Sequence, residues 1–198
     1  MAIDPRPAAS VLVLREGDDG IEILFVRRSP DLKFMGGAWV FPGGTVLPED
    51  GELDADLTYR VAGARETYEE ARIKLPDPEA LVPFSRWVTP ELAPMRFDTR
   101  FYLTGAPDGA EPAPDRHEVD RAEWWTPAKA LHLFVRDEAD LHFPTIKQVE
   151  RLAEFETVDT ALDAARQTPV TTILPRVAAS DEGFEILLPG DPGYEDAQ

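Results

Sequence analysis

The chain has no cysteine among its 198 residues. That absence removes disulfides, thiolate zinc sites and every cysteine-nucleophile mechanism. Histidine is scarce too, and His117, His132 and His142 are not spaced as metal ligands, so structural or exposed positions account for them. No apolar run approaches the roughly 18 residues that span a bilayer. The opening MAIDPRPAAS lacks a basic region followed by an apolar core, and the closing Glu195-Asp196-Ala197-Gln198 is no retention or peroxisomal address. The expectation is a cytoplasmic protein without a membrane partner. Basic residues are few, 20 against 38 acidic ones, for a formal charge of −18. Such a chain lacks the basic face that grips nucleic acid phosphates. A small phosphate-bearing ligand is still admissible if a divalent cation bridges the like charges. Glycine and proline, 13 and 19 residues, fall short of the composition of a disordered chain.

What is present suits one folded domain with a core of its own, 43% of its residues being hydrophobic. Ser10 to Leu14 and Ile21 to Arg27 read as two strands around a Gly-Asp-Asp-Gly turn. Residues 29 to 44 read as loop, and the acidic stretch from Thr45 to Asp56 as a surface excursion. A helical pattern follows from about Leu57 to Leu75, where Pro76 is expected to stop it. Phe84 to Val88, Arg96 to Thr104 and Glu118 to Trp125 read as strands, with a loop at Gly105 to Pro114. Thr126-Pro127 opens a helix by its capping hydroxyl and proline at the first helical position. Further helices are expected over Thr145 to Glu156 and Asp159 to Arg166, and two short apolar pieces, Val170 to Leu174 and Phe184 to Leu188, close the chain.

The most informative stretch is Arg65-Glu66-Thr67-Tyr68-Glu69-Glu70-Ala71-Arg72-Ile73. At 100° per residue, Val61, Ala64, Tyr68, Ala71 and Leu75 gather on one side of a helix, and Glu66, Glu69 and Glu70 on an opposite, exposed side. Carboxylates four apart cost a helix a few tenths of a kcal/mol, about 0.2 to 0.5, unless something neutralises them. A hard divalent cation does so with oxygen ligands and bridges to phosphate. A solvated acidic face with an Arg65 to Glu69 ion pair is the alternative.

Upstream stands Phe41-Pro42-Gly43-Gly44, whose glycines let the backbone come close to a ligand. With it, Arg65-Glu66-x-x-Glu69-Glu70 resembles the Nudix box, G-x5-E-x7-R-E-U-x-E-E-x-G-U, U being bulky and aliphatic. Arg65, Glu66, Glu69, Glu70 and Ile73 fall at the family's spacing. Counted from Gly44, the isolated glutamate position falls on Asp50 and the arginine comes seven residues late; otherwise Glu52 takes that role after a five-residue insertion. Thr67 stands at the aliphatic position and Arg72 at the closing glycine. Arg28, Ser29, Lys33, Gly37 and Phe41-Pro42-Gly43-Gly44 are similar to the motif of the coenzyme A diphosphatase branch, with Lys33 for an arginine and Phe25 and Val26 for leucine and threonine. Trp87 to Pro90, Arg96 to Phe101 and Glu118-Val119 with Trp124 to Pro127 resemble the members with an expanded box.

The resemblance covers about residues 10 to 155 and implies an α/β fold, the Nudix α/β/α sandwich with a mixed curved sheet between helices. Residues 1–198 are then expected to form a single Nudix domain, with a helical and short-strand extension from about 156 to 198. It further implies a Nudix diphosphatase in which Glu66, Glu69, Glu70 and the Gly44 carbonyl hold Mg²⁺ or Mn²⁺. Arg65 would orient the carboxylates, and Glu66 or Glu118 would be the general base. Arg28, Lys33, Gly43, Arg96 and Arg100 are substrate contacts on this view, although for Arg96 and Arg100 a strand-edge salt bridge is the better reading. Trp39 and Phe97 stack a nucleobase or fill the core. The implied partner is a nucleoside diphosphate linked to another group, coenzyme A or an acyl-coenzyme A. ADP-ribose, NADH, dinucleoside polyphosphates or a non-catalytic nucleotide-sensing role are the alternatives. A homodimer also goes with the resemblance.

Overall fold

The computed structural model describes residues 3–53, 55–180 and 183–197. Its first strand, β1 (Arg6–Gly17), carries an unbroken buried run from Ala8 to Leu14, which suits a central strand covered on both faces. A tight turn at Asp18-Asp19 leads into β2 (Gly20–Arg28) in antiparallel register, Leu14 opposite Ile23 and Gly17 opposite Gly20. Then come β3 (Trp39–Val40), β4 (Gly43–Thr45), α1 (Asp56–Ala71), β5 (Val82–Val88), β6 (Phe97–Gly105) and β7 (Val119–Trp125). Three helices, α2 (Pro127–Val135), α3 (Phe143–Leu152) and α4 (Val158–Gln167), precede β8 (Thr172–Ile173), β9 (Arg176–Ser180) and β10 (Gly183–Leu187).

Eight strands form one sheet in the order β3-β2-β1-β6-β5-β8, with β4 paired to β1 and β7 to β2. The β1–β6 and β5–β8 pairs are parallel and the others antiparallel. Strand alternation divides the core in two. Val11, Val13, Leu24 and Val26 pack with Tyr59, Ala62 and Ala71 of α1. Leu12, Leu14, Ile23 and Phe25 pack on the opposite face with Ala130, Val149, Leu152, Val158 and Ala161 of the later helices. The result is the expected α/β/α sandwich around a mixed sheet.

Several boundaries differ from those expected. Gly43–Thr45 is a strand rather than loop, because its backbone pairs with Ala8 to Ser10. A side chain at position 43 would lie 2.5 Å from the Ala9 carbonyl, so glycine is what permits that approach. Helix α1 ends at Ala71, four residues before Leu75 and well before Pro76. Arg72 turns left-handed (φ 58°) and its N–H reaches the Tyr68 carbonyl, after which Ile73 and Leu75 drop into the core. The tail holds a strand, β9, that its sequence does not advertise.

The orientation of α1 also corrects the expectation. Its buried side is Tyr59, Ala62, Gly63, Thr67, Glu70 and Ala71, while Tyr68 is 48% exposed. Small residues decide this: a side chain at Gly63 would come within 2.8 Å of Val11 Cγ2, so the helix lies close on β1 through its smallest residues. Thr67 is buried and satisfied, its hydroxyl donating to the Gly63 carbonyl at 2.8 Å. Glu66 and Glu70 are therefore carried inward, and Glu69 alone of the three stays well exposed.

Candidate active site

Arg65 is the hub of the site. Its Nε and Nη2 donate to the two carboxylate oxygens of Asp50 at 2.9 and 3.0 Å. Nη1 donates to Glu66 Oε1 at 2.9 Å and Glu69 Oε2 at 3.0 Å, and Nη2 also reaches the Thr45 carbonyl at 3.1 Å. Five donors thus meet five oxygens, the full capacity of a guanidinium. The acidic excursion is not wholly on the surface: Asp50 is only 8% exposed, in a 3₁₀ turn over Pro48–Asp50, and also accepts from the Leu47 N–H at 2.8 Å. Burial raises the pKa of Asp50, but Arg65 and that N–H outweigh it and hold the carboxyl below its ordinary value. Asp50 and not Glu52 therefore meets the box arginine; Glu52 contributes its carbonyl, to Thr58.

Glu70 is 3% exposed and accepts from the Gly43 N–H at 3.0 Å. Burial pushes its carboxyl up to about 8, against the Gly43 bond and with the neighbouring Glu66 charge adding to the rise. Glu66 is raised as well, burial outweighing its bond to Arg65. Gly44 lies directly against Glu66, where a side chain would come within 2.3 Å of Oε1. The loop before β4 is tied down by Ser10, whose hydroxyl donates to the Pro42 carbonyl at 2.9 Å.

These groups open onto a cavity of about 1160 Å³. Arg28, Gly43, Gly44, Arg65, Glu66, Glu69, Glu70 and Glu118 all line it. Lys33, Arg96 and Arg100 do not. Lys33 is exposed on the 29–38 loop. Arg96 is 6% exposed and donates to the Thr89 and Ile3 carbonyls at 3.0 and 2.8 Å. Arg100 is on the wrong face of β6: Phe97, Thr99 and Phe101 face the cavity, whereas Arg100 bonds Asp56 at 3.1 Å and sits 3.7 Å over the Tyr59 ring. Trp39 fills the core against Trp125, while Phe97 lines the cavity with Phe34 beside it. Of the histidines, His142 alone borders the cavity.

Two lining residues escape sequence reasoning. Asp115 accepts from the N–H groups of His117, Glu118 and Val119 at 3.1, 3.1 and 2.9 Å, so it shapes the loop that presents Glu118. An aspartate two residues before the bend is the available signal, but many exposed loops carry one. Arg72 adds a cation to the wall, signalled only by standing where the box has glycine.

The donors suit a hard divalent cation: carboxylate oxygens of Glu66, Glu69 and Glu70 beside the close backbone of Gly44, with too little positive charge to balance buried Glu66 and Glu70. Among the described residues no three acidic or histidine side chains already form a closed metal cage, since Glu66 and Glu69 each give an oxygen to Arg65.

The description of the NUDIX domain matches residues 4–149. The chain belongs to the Nudix family. It is 24% identical to the human acyl-coenzyme A diphosphatase NUDT19, covering 89% of this chain and 73% of that protein. The Gallus gallus protein of the same name is 33% identical over 61% of this chain, but this is 34% of its own length. Among solved structures, a NUDIX hydrolase from Alicyclobacillus acidocaldarius superposes with a TM-score of 0.74 at 27% identity, over 84% of this chain and 99% of the other. The chain is accordingly a Nudix hydrolase, a diphosphatase resembling the coenzyme A branch. No helix among the described residues is long and apolar enough to cross a membrane.

Proposed function

We propose that this Nudix hydrolase cleaves the diphosphate of coenzyme A or an acyl-coenzyme A with Mg²⁺ or Mn²⁺ as cofactor. The observation that carries the reading is the cavity itself, which joins Glu66, Glu69, Glu70 and Glu118 to apolar walls such as Phe34, Met35, Val88 and Met95. A free nucleotide offers little for such walls to cover, whereas a thioester with a hydrocarbon arm does. The name of the human relative supports the same substrate class.

Glu66, Glu69 and Glu70, with the Gly44 carbonyl, are the residues that would hold the cation. When bound, it offsets the charge of the substrate and acidifies water. Arg65 keeps the Glu66 and Glu69 carboxylates in place, as the Gly43 N–H keeps Glu70. Arg28, on the cavity wall, supplies positive charge for a phosphate. Glu118 suits the general base better than Glu66: its carboxylate has no hydrogen-bond partner among the described residues, while Glu66 is engaged with Arg65.

The test is turnover of coenzyme A, acyl-coenzyme A, ADP-ribose, NADH and dinucleoside polyphosphates with each metal, both products being identified by mass. Preference for the coenzyme A compounds is expected. Glu70→Gln should lower kcat at least about 100-fold with no loss of melting temperature, because the amide removes a carboxylate for the cation but still offers an oxygen to the Gly43 N–H. Tight binding of an intact nucleotide without any product would instead make the chain a sensor.

A further inference from the structure

The family match ends at residue 149, yet the chain beyond it returns to the cavity. After α4, β8 adds to the sheet parallel to β5, with Thr172 opposite Arg86 and Ile173 opposite Trp87. The chain thereby arrives beside the end of β5, where Val88 and the following Thr89 and Pro90 line the cavity. The next residues form the two-stranded ribbon β9–β10, and from this extension Pro175, Val177 and Ile186 join the same cavity wall.

The ribbon's register makes this a patterned surface. Val177 pairs directly with Ile186, so the two side chains stand together on one face. The neighbouring pair, Arg176 with Leu187, belongs to the other face. That other face is anchored: Arg176 Nη1 donates to the Tyr194 and Glu195 carbonyls at 2.9 and 3.1 Å, and Leu187 is buried against the turn at Gly193. Tyr194 in turn donates to the Leu174 carbonyl at 2.7 Å, tying the end of the chain to the approach of β9. The apolar face is held toward the cavity without being filled from within, and Ile186 is still 42% exposed. Phe184, two residues before Ile186 and so on the same face, is 83% exposed and extends the apolar strip outward.

None of the three cavity-lining residues of the extension has a charge or a hydrogen-bonding side chain, so what they recognise is hydrocarbon. We propose that the C-terminal ribbon is the specificity element of this hydrolase: Val177 and Ile186 form the wall against which a medium or long fatty acyl chain of the substrate lies. The inference rests on the coenzyme A reading above and adds to it which compounds are preferred and which residues choose them.

The experiment compares kcat/KM for coenzyme A and for its acetyl, octanoyl and dodecanoyl thioesters in the full-length protein and in two variants. The native protein should favour dodecanoyl over acetyl. In Val177→Ser/Ile186→Ser the ratio of dodecanoyl to free coenzyme A should fall on the order of tenfold, since apolar contact is lost for the long chain alone. Ile186→Phe keeps the ribbon apolar but narrows the space, and should shift the preferred chain length downward; it decides the matter if the double variant does not fold. Ratios unchanged in the folded variants, or a native protein indifferent to chain length, overturn the proposal while leaving coenzyme A hydrolysis intact. If the native protein turns over no coenzyme A compound but cleaves another diphosphate, the underlying reading fails at that first measurement.

Discussion

Asp50 and Arg65 form the most consequential contact made by single side chains. Two parallel bonds join them, with Asp50 nearly buried, so replacing Asp50 breaks a charge-assisted pair and leaves Arg65 its bonds to Glu66, Glu69 and the Thr45 carbonyl. Asp50→Asn should destabilise the protein by about 2 kcal/mol at neutral pH, and Glu52→Gln by less than about 0.5 kcal/mol, as read by urea denaturation. The folded-state pKa of Asp50 is depressed, so its contribution is complete above the unfolded value near 3.9 and disappears as pH falls through the lower folded value. The acid limb of stability in Asp50→Asn should therefore be shallower than in the native protein. Gly44→Ala tests a different property. A new methyl group 2.3 Å from Glu66 Oε1 meets the end of a flexible side chain, so the fold should persist within a few degrees while kcat/KM drops about 100-fold because Glu66 is displaced. Much of this site was legible in the sequence, since Arg65, Glu66, Glu69 and Glu70 announce themselves by spacing. The choice between Asp50 and Glu52 was not, because an insertion moves both off the family register and only the folded loop shows which carboxylate reaches Arg65. Arg96 and Arg100 stand away from the cavity because charge says nothing about strand face, and for Arg100 the salt-bridge reading holds, its partner being Asp56.

Helix α1 shows where pattern reading fails at the level of an element. Assigning the burial of its sides from large apolar residues puts Tyr68 inside and the acids outside, yet the helix buries Ala62, Gly63 and Thr67 and turns Tyr68 to solvent. Small residues contribute little to an amphipathic pattern but permit the closest approach to a sheet, so here distance outranks hydrophobicity. The hairpin of β1 and β2, the Thr126-Pro127 helix start and α4 were readable because local turn and capping chemistry decides them. The Thr126 hydroxyl indeed accepts from the Lys129 N–H at 3.1 Å. Strand β9 was not, as its order depends on β10. The end of α1 supports one further prediction. Arg72 is left-handed, a conformation that costs an L-residue about 1 kcal/mol relative to glycine. Arg72→Gly should raise the melting temperature by about 2 to 4 °C, measured calorimetrically without metal; unchanged or lowered stability would mean that the Arg72 contact with the Tyr68 ring offsets the strain.

Over the whole molecule, the charge of −18 divides into a diffuse acidic surface and the small inward-facing set of Glu66 and Glu70 with Glu69 at its edge. The first should respond to ionic strength and the second to specific cations. Mn²⁺ or Mg²⁺ at about 100 times its Kd should add about 2.7 kcal/mol of stability, a shift in melting temperature of roughly 5 to 10 °C, reversed by a chelator and not reproduced by NaCl of equal ionic strength. Glu70→Gln should blunt the shift. A sequence-level count of charges could not make that division, because the inward turn of the carboxylates depends on how closely α1 lies on β1. The central place of β1 has a bearing on how the protein is made. One edge of the strand is completed early, by β2 at residues 14–17 and β4 at residues 8–10. Its other edge pairs with β6 along almost its whole length, Arg6 opposite Phe97 and Leu14 opposite Gly105. A nascent chain must therefore be synthesised past Gly105 before its first strand has both neighbours, and until then a long apolar edge is open to any passing strand. Until residue 105 has been made, this edge of β1 lacks the strand that covers it in the folded protein.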